Sequence, residues 1–196
     1  MKIKIRNKYT LRDLILDGIT SEELNSKYDY SSITNMSYMF HDHNEMKTFP
    51  SIDTSKVKRF RGMFYMCKEL IEVPVLDMSS AVDIRGMFVG CSKLKTITSL
   101  DTSNVTDLSI IFYGCTSLES IPDIDTSNVT DMTKMFAGCR SLKNIPPLDT
   151  SKVVKMSYMF DRCENLINID PFNFHLYDFS TIKNELFRKK YPELFI

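Results

Sequence analysis

FAGCRSLKNIPPLDTSKVVKMSYMF, Phe136 to Phe160, ends on the residue type with which it begins, and three residues after each of those phenylalanines stands a cysteine. The echo extends along the chain. Cys67, Cys91, Cys115, Cys139 and Cys163 are all five of its cysteines, and each follows the last by 24 residues. Rows of 24 therefore read YDYSSITNMSYMFHDHNEMKTFPS, IDTSKVKRFRGMFYMCKELIEVPV, LDMSSAVDIRGMFVGCSKLKTITS, LDTSNVTDLSIIFYGCTSLESIPD, IDTSNVTDMTKMFAGCRSLKNIPP and LDTSKVVKMSYMFDRCENLINIDP. The register holds from Tyr28 to Pro171, with Asp at the second place of every row, Ser at the fourth and Phe at the thirteenth. A period of this length marks a repeat architecture in which each row is one structural unit.

Apolar residues fall at places 1, 6, 9, 12, 13, 16, 19 and 22, as in Leu100, Val105, Leu108, Ile111, Phe112, Cys115, Leu118 and Ile121. This fits neither the period of a half-buried strand nor that of a helix face. It fits a coil with an extended piece at LxxI, a Pro-containing turn into xDTS, and a compact turn or short helix at the MF pair. One coil cannot bury its own apolar side, but stacked coils share a continuous core. Six coils at strand spacing predict a rod on the order of 29 Å long.

The segment MFxGCxSLxxIP followed by LDTSNVTDM resembles the BspA-like leucine-rich repeat and similar repeats of bacterial surface lipoproteins, over 144 of the 196 residues. The resemblance implies an α/β repeat solenoid, a right-handed leucine-rich-repeat coil stack with short parallel strands, used in that family for adhesion and other protein binding. The start, MKIKIRNKYTLRDLILD, has no apolar run of the signal-peptide type because Arg12, Asp13 and Asp17 interrupt it. With no lipoprotein cysteine near the start and no wall anchor in view, the expected location is cytoplasmic, with the cell surface as the alternative.

Composition narrows the function classes. Lys plus Arg and Asp plus Glu are 25 each, so no global field draws the chain to nucleic acid or an anionic membrane. No stretch approaches the roughly 18 apolar residues of a membrane span. The cysteine column lies among apolar columns and predicts an internal ladder of reduced thiols. Metal binding needs ligands converging on one point; a His41, His43 and Cys67 set can be drawn, but His43 simply occupies the cysteine place in the first row, and no metal or cofactor is expected. Each second-place Asp opens an Asp-x-Ser turn whose side chains accept backbone N–H bonds, which accounts for that column without calcium. No catalytic residues are assigned. An active site is a singular arrangement, whereas nearly every Asp, Ser and Cys in the rows belongs to a repeated column.

Both ends read as caps, residues 1–27 in front of the repeats of 28–171 and residues 172–196 behind, making one closed domain. KIKI predicts a short strand. Thr10 with Asp13 suggests a capping box before an apolar stripe of Leu11, Leu14 and Ile15, and Gly18 a left-handed stop that folds Ile19 onto Leu14. Ser21 starts a second turn. At the rear a helix is predicted from Ser180, with Ile182, Leu186 and Phe187 near helical spacing and Pro192 ending it.

If the columns make a scaffold, function lies where the rows differ. Flanking the buried Leu and Ile of LxxI are Glu69, Ile71 and Glu72, then Lys93 and Lys95, Glu119, Arg140 and Lys143, and Ile167. Their signs alternate along the rod, which suits a complementary protein surface. A second candidate is the ridge of Lys56, Lys58, Arg59, Arg61 and Arg85, faced in later coils by Asp107 and Asp131. The reading is a noncatalytic, monomeric, intracellular protein-binding module, an inhibitor or adaptor of bacterial or mobile-element origin. An exported adhesin is the alternative, and a nuclease-regulating or nucleic-acid-associated role is weaker.

Overall fold

The 24-residue row closes into a coil because its backbone N–H groups divide between two kinds of partner. A computed structural model describes residues 2–168 and 185–192 of the chain, the side chains of residues 185–187 excepted. Around the MF pair of each of the first five rows, N–H groups at places 11, 13 and 15, joined by place 9 in all but the third row, cross to carbonyls of the next coil. In the second row these are Phe60 to Asp83 at 2.8 Å, Gly62 to Arg85 at 2.9 Å, Phe64 to Met87 at 2.9 Å and Met66 to Val89 at 2.6 Å. The N–H groups at places 12, 14 and 16 turn back three residues instead, Met63 to Phe60 at 2.9 Å, Tyr65 to Gly62 and Cys67 to Phe64 at 3.0 Å.

Two left-handed columns permit this alternation. At place 11, Tyr38, Gly62, Gly86, Ile110, Lys134 and Tyr158 have φ between 53° and 59°; at place 15, Asp42, Met66, Gly90, Gly114, Gly138 and Arg162 have φ between 56° and 79°. Of the two expectations for the MF pair, the turn is what forms. A helix of L-residues holds φ negative throughout, so a left-handed residue every fourth position excludes it. Ile110, β-branched at φ 53°, is the most strained of them.

Inside the coils the apolar columns stack as the spacing predicts. The six phenylalanines from Phe40 to Phe160 are buried and lie face to face, ring centroids 5.7–5.9 Å apart and planes within 14°. Each such pair adds about 0.5–1.5 kcal/mol beyond area burial.

The sequence predicts short parallel strands at LxxI, and here the structure differs. Parallel bridges recur instead at place 8, Asn35 with Arg59, Arg59 with Asp83, Asp107 with Asp131 and Asp131 with Lys155, while on the LxxI edge only Asn144 bridges Asn168 among the described residues. That edge is joined by single backbone bonds such as Ile71 N to Lys47 O at 2.9 Å. Pro50, Pro74, Pro122 and Pro146 follow three residues after this column and carry no N–H to lengthen the ladder.

At the front, β1 (Ile3–Lys4) pairs in parallel with β2 (Tyr28–Asp29), so KIKI extends the stack as expected. Between them, α1 (Lys8–Leu16) buries Leu11 and Ile15, and α2 (Ser21–Lys27) buries Leu24. The capping box falls elsewhere than predicted. Asn7, not Thr10, caps α1, its side-chain Oδ1 accepting from Tyr9 N at 2.9 Å, an N–H of the first turn that has no partner within the helix; Thr20 caps α2 by accepting from Glu23 N at 3.1 Å. Gly18 at φ 84° ends α1 as read, with Ile19 N bonded to Leu14 O and Gly18 N to Ile15 O, both at 3.1 Å. Lys8 Nζ donates to the Ser37 carbonyl of the first coil. At the rear, α3 (Glu185–Lys190) is tied to the sixth coil by Lys190 Nζ donating to Asn168 Oδ1 at 2.6 Å. Ser180, Ile182, the side chains of Leu186 and Phe187, and 194–196 lie outside the described residues.

Candidate functional site

The repeated polar side chains are used by the fold itself. Every second-place Asp accepts through Oδ1 from the N–H of the Ser two residues on, at 2.9–3.1 Å. Those Ser side-chain and backbone bonds hold the carboxyls of Asp29, Asp53, Asp77, Asp125 and Asp149 below the usual range. Buried Thr54, Thr102 and Thr126 donate through Oγ1 to the Asp carbonyl of the next coil at 2.6–2.9 Å. In the first coil Tyr30 replaces this threonine, its hydroxyl accepting from Asp53 N at 3.1 Å.

The cysteines form the internal ladder expected of them, with one addition. Each buried Sγ donates to the carbonyl of the preceding coil's Phe, Cys67 to Phe40, Cys91 to Phe64, Cys115 to Phe88, Cys139 to Phe112 and Cys163 to Phe136, at 2.9–3.1 Å. Burial pushes the Cys67 thiol up to about 12 and the other four well above the ordinary thiol value. The His41, His43 and Cys67 set does not converge. His41 stacks on Tyr65 at 5.0 Å, His43 turns its edge to Phe40 at 6.1 Å, and Cys67 faces the Phe40 carbonyl. Among the described residues no three His, Cys, Asp or Glu side chains are grouped to hold a metal.

The row-varying residues come together as two edges. Ile71, Lys95, Glu119, Lys143 and Ile167 share place 20 and are aligned by the bonds Glu119 N to Lys95 O, Lys143 N to Glu119 O and Ile167 N to Lys143 O, at 2.9, 3.3 and 3.0 Å. All but Ile167 are exposed, Ile71 to 45%. Part of the sign alternation is spent on neighbouring coils. Glu69 pairs with Lys93 at 2.7 Å and Arg140 with Glu164 at 3.6 Å, while Glu72 is exposed. On the ridge, Arg85 binds Asp83 through two bonds of 3.0 Å and reaches Asp107 at 3.6 Å, and Arg61 Nε donates to the Tyr38 hydroxyl at 3.1 Å. Burial pushes Asp83 up, but the hydrogen bonds and charge of Arg85 outweigh it and hold the carboxyl low. Lys56, Lys58 and Arg59 are exposed.

Sequence reasoning missed the outer side of the left-handed turns. Tyr38, Tyr113 and Tyr158 stand there, exposed to 47%, 45% and 57%, with Ile110 beside them. A groove of about 460 Å³ opens on the same side across the fourth to sixth coils, between Tyr113, Lys134, Arg140, Tyr158, Asp161 and Arg162. The available signal was the interruption of place 15 by Gly90, Gly114 and Gly138, which marks backbone at positive φ.

The family description "Mycoplasma protein of unknown function, DUF285" fits residues 19–96 and 82–190. No curated protein matches the chain. Among solved structures, a leucine-rich repeat protein from Eubacterium ventriosum ATCC 27560 is similar at TM-score 0.54 and 20% identity, over 72% of this chain and 37% of that one. This chain thus spans little more than a third of that protein's length, and the likeness is one of fold. The resemblance to BspA-like leucine-rich repeats and the repeat-solenoid architecture both stand.

Proposed function

The chain belongs to the family described as "Mycoplasma protein of unknown function, DUF285", and from that membership and its solenoid we propose that it is a noncatalytic protein-binding module, an intracellular inhibitor or adaptor. One observation carries this reading: the repeated Asp, Thr and Cys side chains are occupied by bonds within and between coils. What remains for a partner is the set of side chains that changes from row to row on a fixed scaffold. Such a surface discriminates partners by charge and shape. The LxxI edge is the first proposed contact, from Glu69 and Ile71 through Lys95 and Glu119 to Lys143, with the Lys56 to Arg85 ridge second. Free, buried thiols in all five rungs support a reducing location.

The test uses immobilised chain to retrieve a partner from native-host lysate, identifies it, and titrates it in purified form by calorimetry. Reversing Glu69, Glu72, Lys93 and Lys95 together keeps the Glu69–Lys93 pair with its signs exchanged, so the melting curve stays in place while affinity falls about tenfold or more. Unchanged affinity in this variant and in one reversed at Lys56, Lys58, Arg59 and Arg61 would remove both edges from the interface. Protease treatment of intact host cells separates the intracellular module, which stays protected, from an exported adhesin, which is cleaved.

A further inference from the structure

The groove on the left-handed side exists because one coil withholds its side chains. At places 14 and 15 the fourth coil carries Tyr113 and Gly114 and the sixth Asp161 and Arg162, while the fifth carries Ala137 and Gly138. The floor is bare backbone; a Cβ on Gly138 would lie 3.3 Å from Gly114 Cα. Along the walls, Lys134, Arg140 and Arg162 oppose a single carboxylate, Asp161. Arg162 reaches Asp161 at 3.9 Å and Arg140 reaches Glu164 at 3.6 Å, both at exposed positions where such pairs exchange readily. Lys134 has no carboxylate partner among the described residues; its ammonium lies 5.7 Å from the centre of the exposed Tyr158 ring.

Lys134 and Arg162 hold these charges at φ 54° and 56°, where glycine is cheaper and other rows use it. Tyr and Arg are also the residues that most often anchor protein interfaces. We propose that this groove holds an extended acidic segment of a protein partner, its backbone over Gly114 and Gly138 between the two tyrosines and its carboxylates on Lys134, Arg140 and Arg162. The inference rests on the protein-binding reading and deepens it. Arg140 also borders the LxxI edge, so one partner can touch both surfaces. A peptide fits better than nucleic acid because Asp161 stands in the groove and the chain's net charge is zero, whereas a phosphate backbone is met by an extended basic track.

The experiment selects a phage-displayed library of random dodecapeptides on the intact protein and measures the enriched peptides by fluorescence anisotropy, with a labelled oligothymidylate alongside. The comparison variant is Lys134→Gly, Arg140→Glu and Arg162→Gly together. Its two glycines relieve backbone strain, so lost binding cannot be assigned to lost folding. Enriched peptides rich in Asp and Glu are expected, bound about tenfold or more weaker by the variant, with amide shifts in NMR spectra centred on Gly114, Gly138 and Arg162. Peptides without acidic character, or bound equally by the variant, overturn the proposal. Tighter binding of the oligonucleotide overturns the choice of occupant. Shifts confined to residues 71, 95 and 119 refute the groove while leaving the protein-binding reading intact. If no peptide is enriched the groove is likewise rejected, and partner retrieval tests the broader reading separately.

Discussion

Raising the pH should unfold this protein through its cysteine ladder. A thiol whose folded pKa is raised contributes stability that is fully present below its unfolded pKa and lost as pH rises toward the folded value. Cys67 is pushed from 9.0 to about 12, and burial pushes Cys91, Cys115, Cys139 and Cys163 well above 9.0. Within that window each thiol costs about 1.4 kcal/mol per pH unit, and five together cost about 7 kcal/mol per unit. A domain of ordinary stability has about 5–15 kcal/mol in total, so unfolding should be complete by about pH 10 to 11. Tyr30, raised by burial, acts in the same direction. The assay is urea unfolding followed by circular dichroism at a series of pH values under reductant, with thiol labelling in parallel. Native thiols should label slowly until the pH at which the fold gives way. Cys115→Ala sharpens the test. It should cost about 1–2 kcal/mol at neutral pH for the lost packing and S–H bond, yet flatten the alkaline slope by about 1.4 kcal/mol per unit. The two stability curves then cross about one pH unit above the ordinary thiol value. A wild-type slope below about 2 kcal/mol per unit in this range, or an unaltered slope in the variant, would refute the buried ladder.

Lys134→Gly should raise Tm by about 1–3 °C, since it removes left-handed strain, while Ser157→Gly, outside the two left-handed columns, should lower Tm by a similar amount; equal signs in a thermal melt would contradict the turn geometry. Phe112→Ala removes a ring stacked on Phe88 at 5.8 Å and on Phe136 at 5.7 Å, so a loss of about 4–6 kcal/mol with a broadened transition is expected in urea titrations. A loss under about 2 kcal/mol would mean the ring column is not what couples the coils.

The rows made the core legible because one residue type recurs wherever burial is demanded: Phe40 to Phe160 at one place, Cys67 to Cys163 at another. The left-handed columns were hidden by the same logic. Place 11 is filled by Tyr, Gly, Gly, Ile, Lys and Tyr, because backbone geometry there is imposed by the bonds on either side and tolerates several side chains at a modest cost. The LxxI strands were over-read, since apolar spacing reports which side is buried and says little of how many backbone bonds join the edge. The charges of Glu69 and Lys93 looked like a partner's imprint, although at one place in adjacent coils they also satisfy each other. The groove arises from what Ala137 and Gly138 lack, which a column of letters shows only when the neighbouring rows are superposed in space.

The backbone bonds of the turns give the rod a sense, head to tail. From place 9 to place 15, around the MF pair, the cross-coil N–H bonds point forward, as Phe40 N to Met63 O and Phe136 N to Met159 O do, whereas Ile71 N on the opposite edge points back to Lys47 O. The head of the rod therefore presents acceptors along its MF edge, and any added coil could join there only by delivering donors in register. Lys8 stands in that position, its ammonium on the Ser37 carbonyl. A single flexible side chain thus occupies a seat that, between coils, is taken by a peptide N–H.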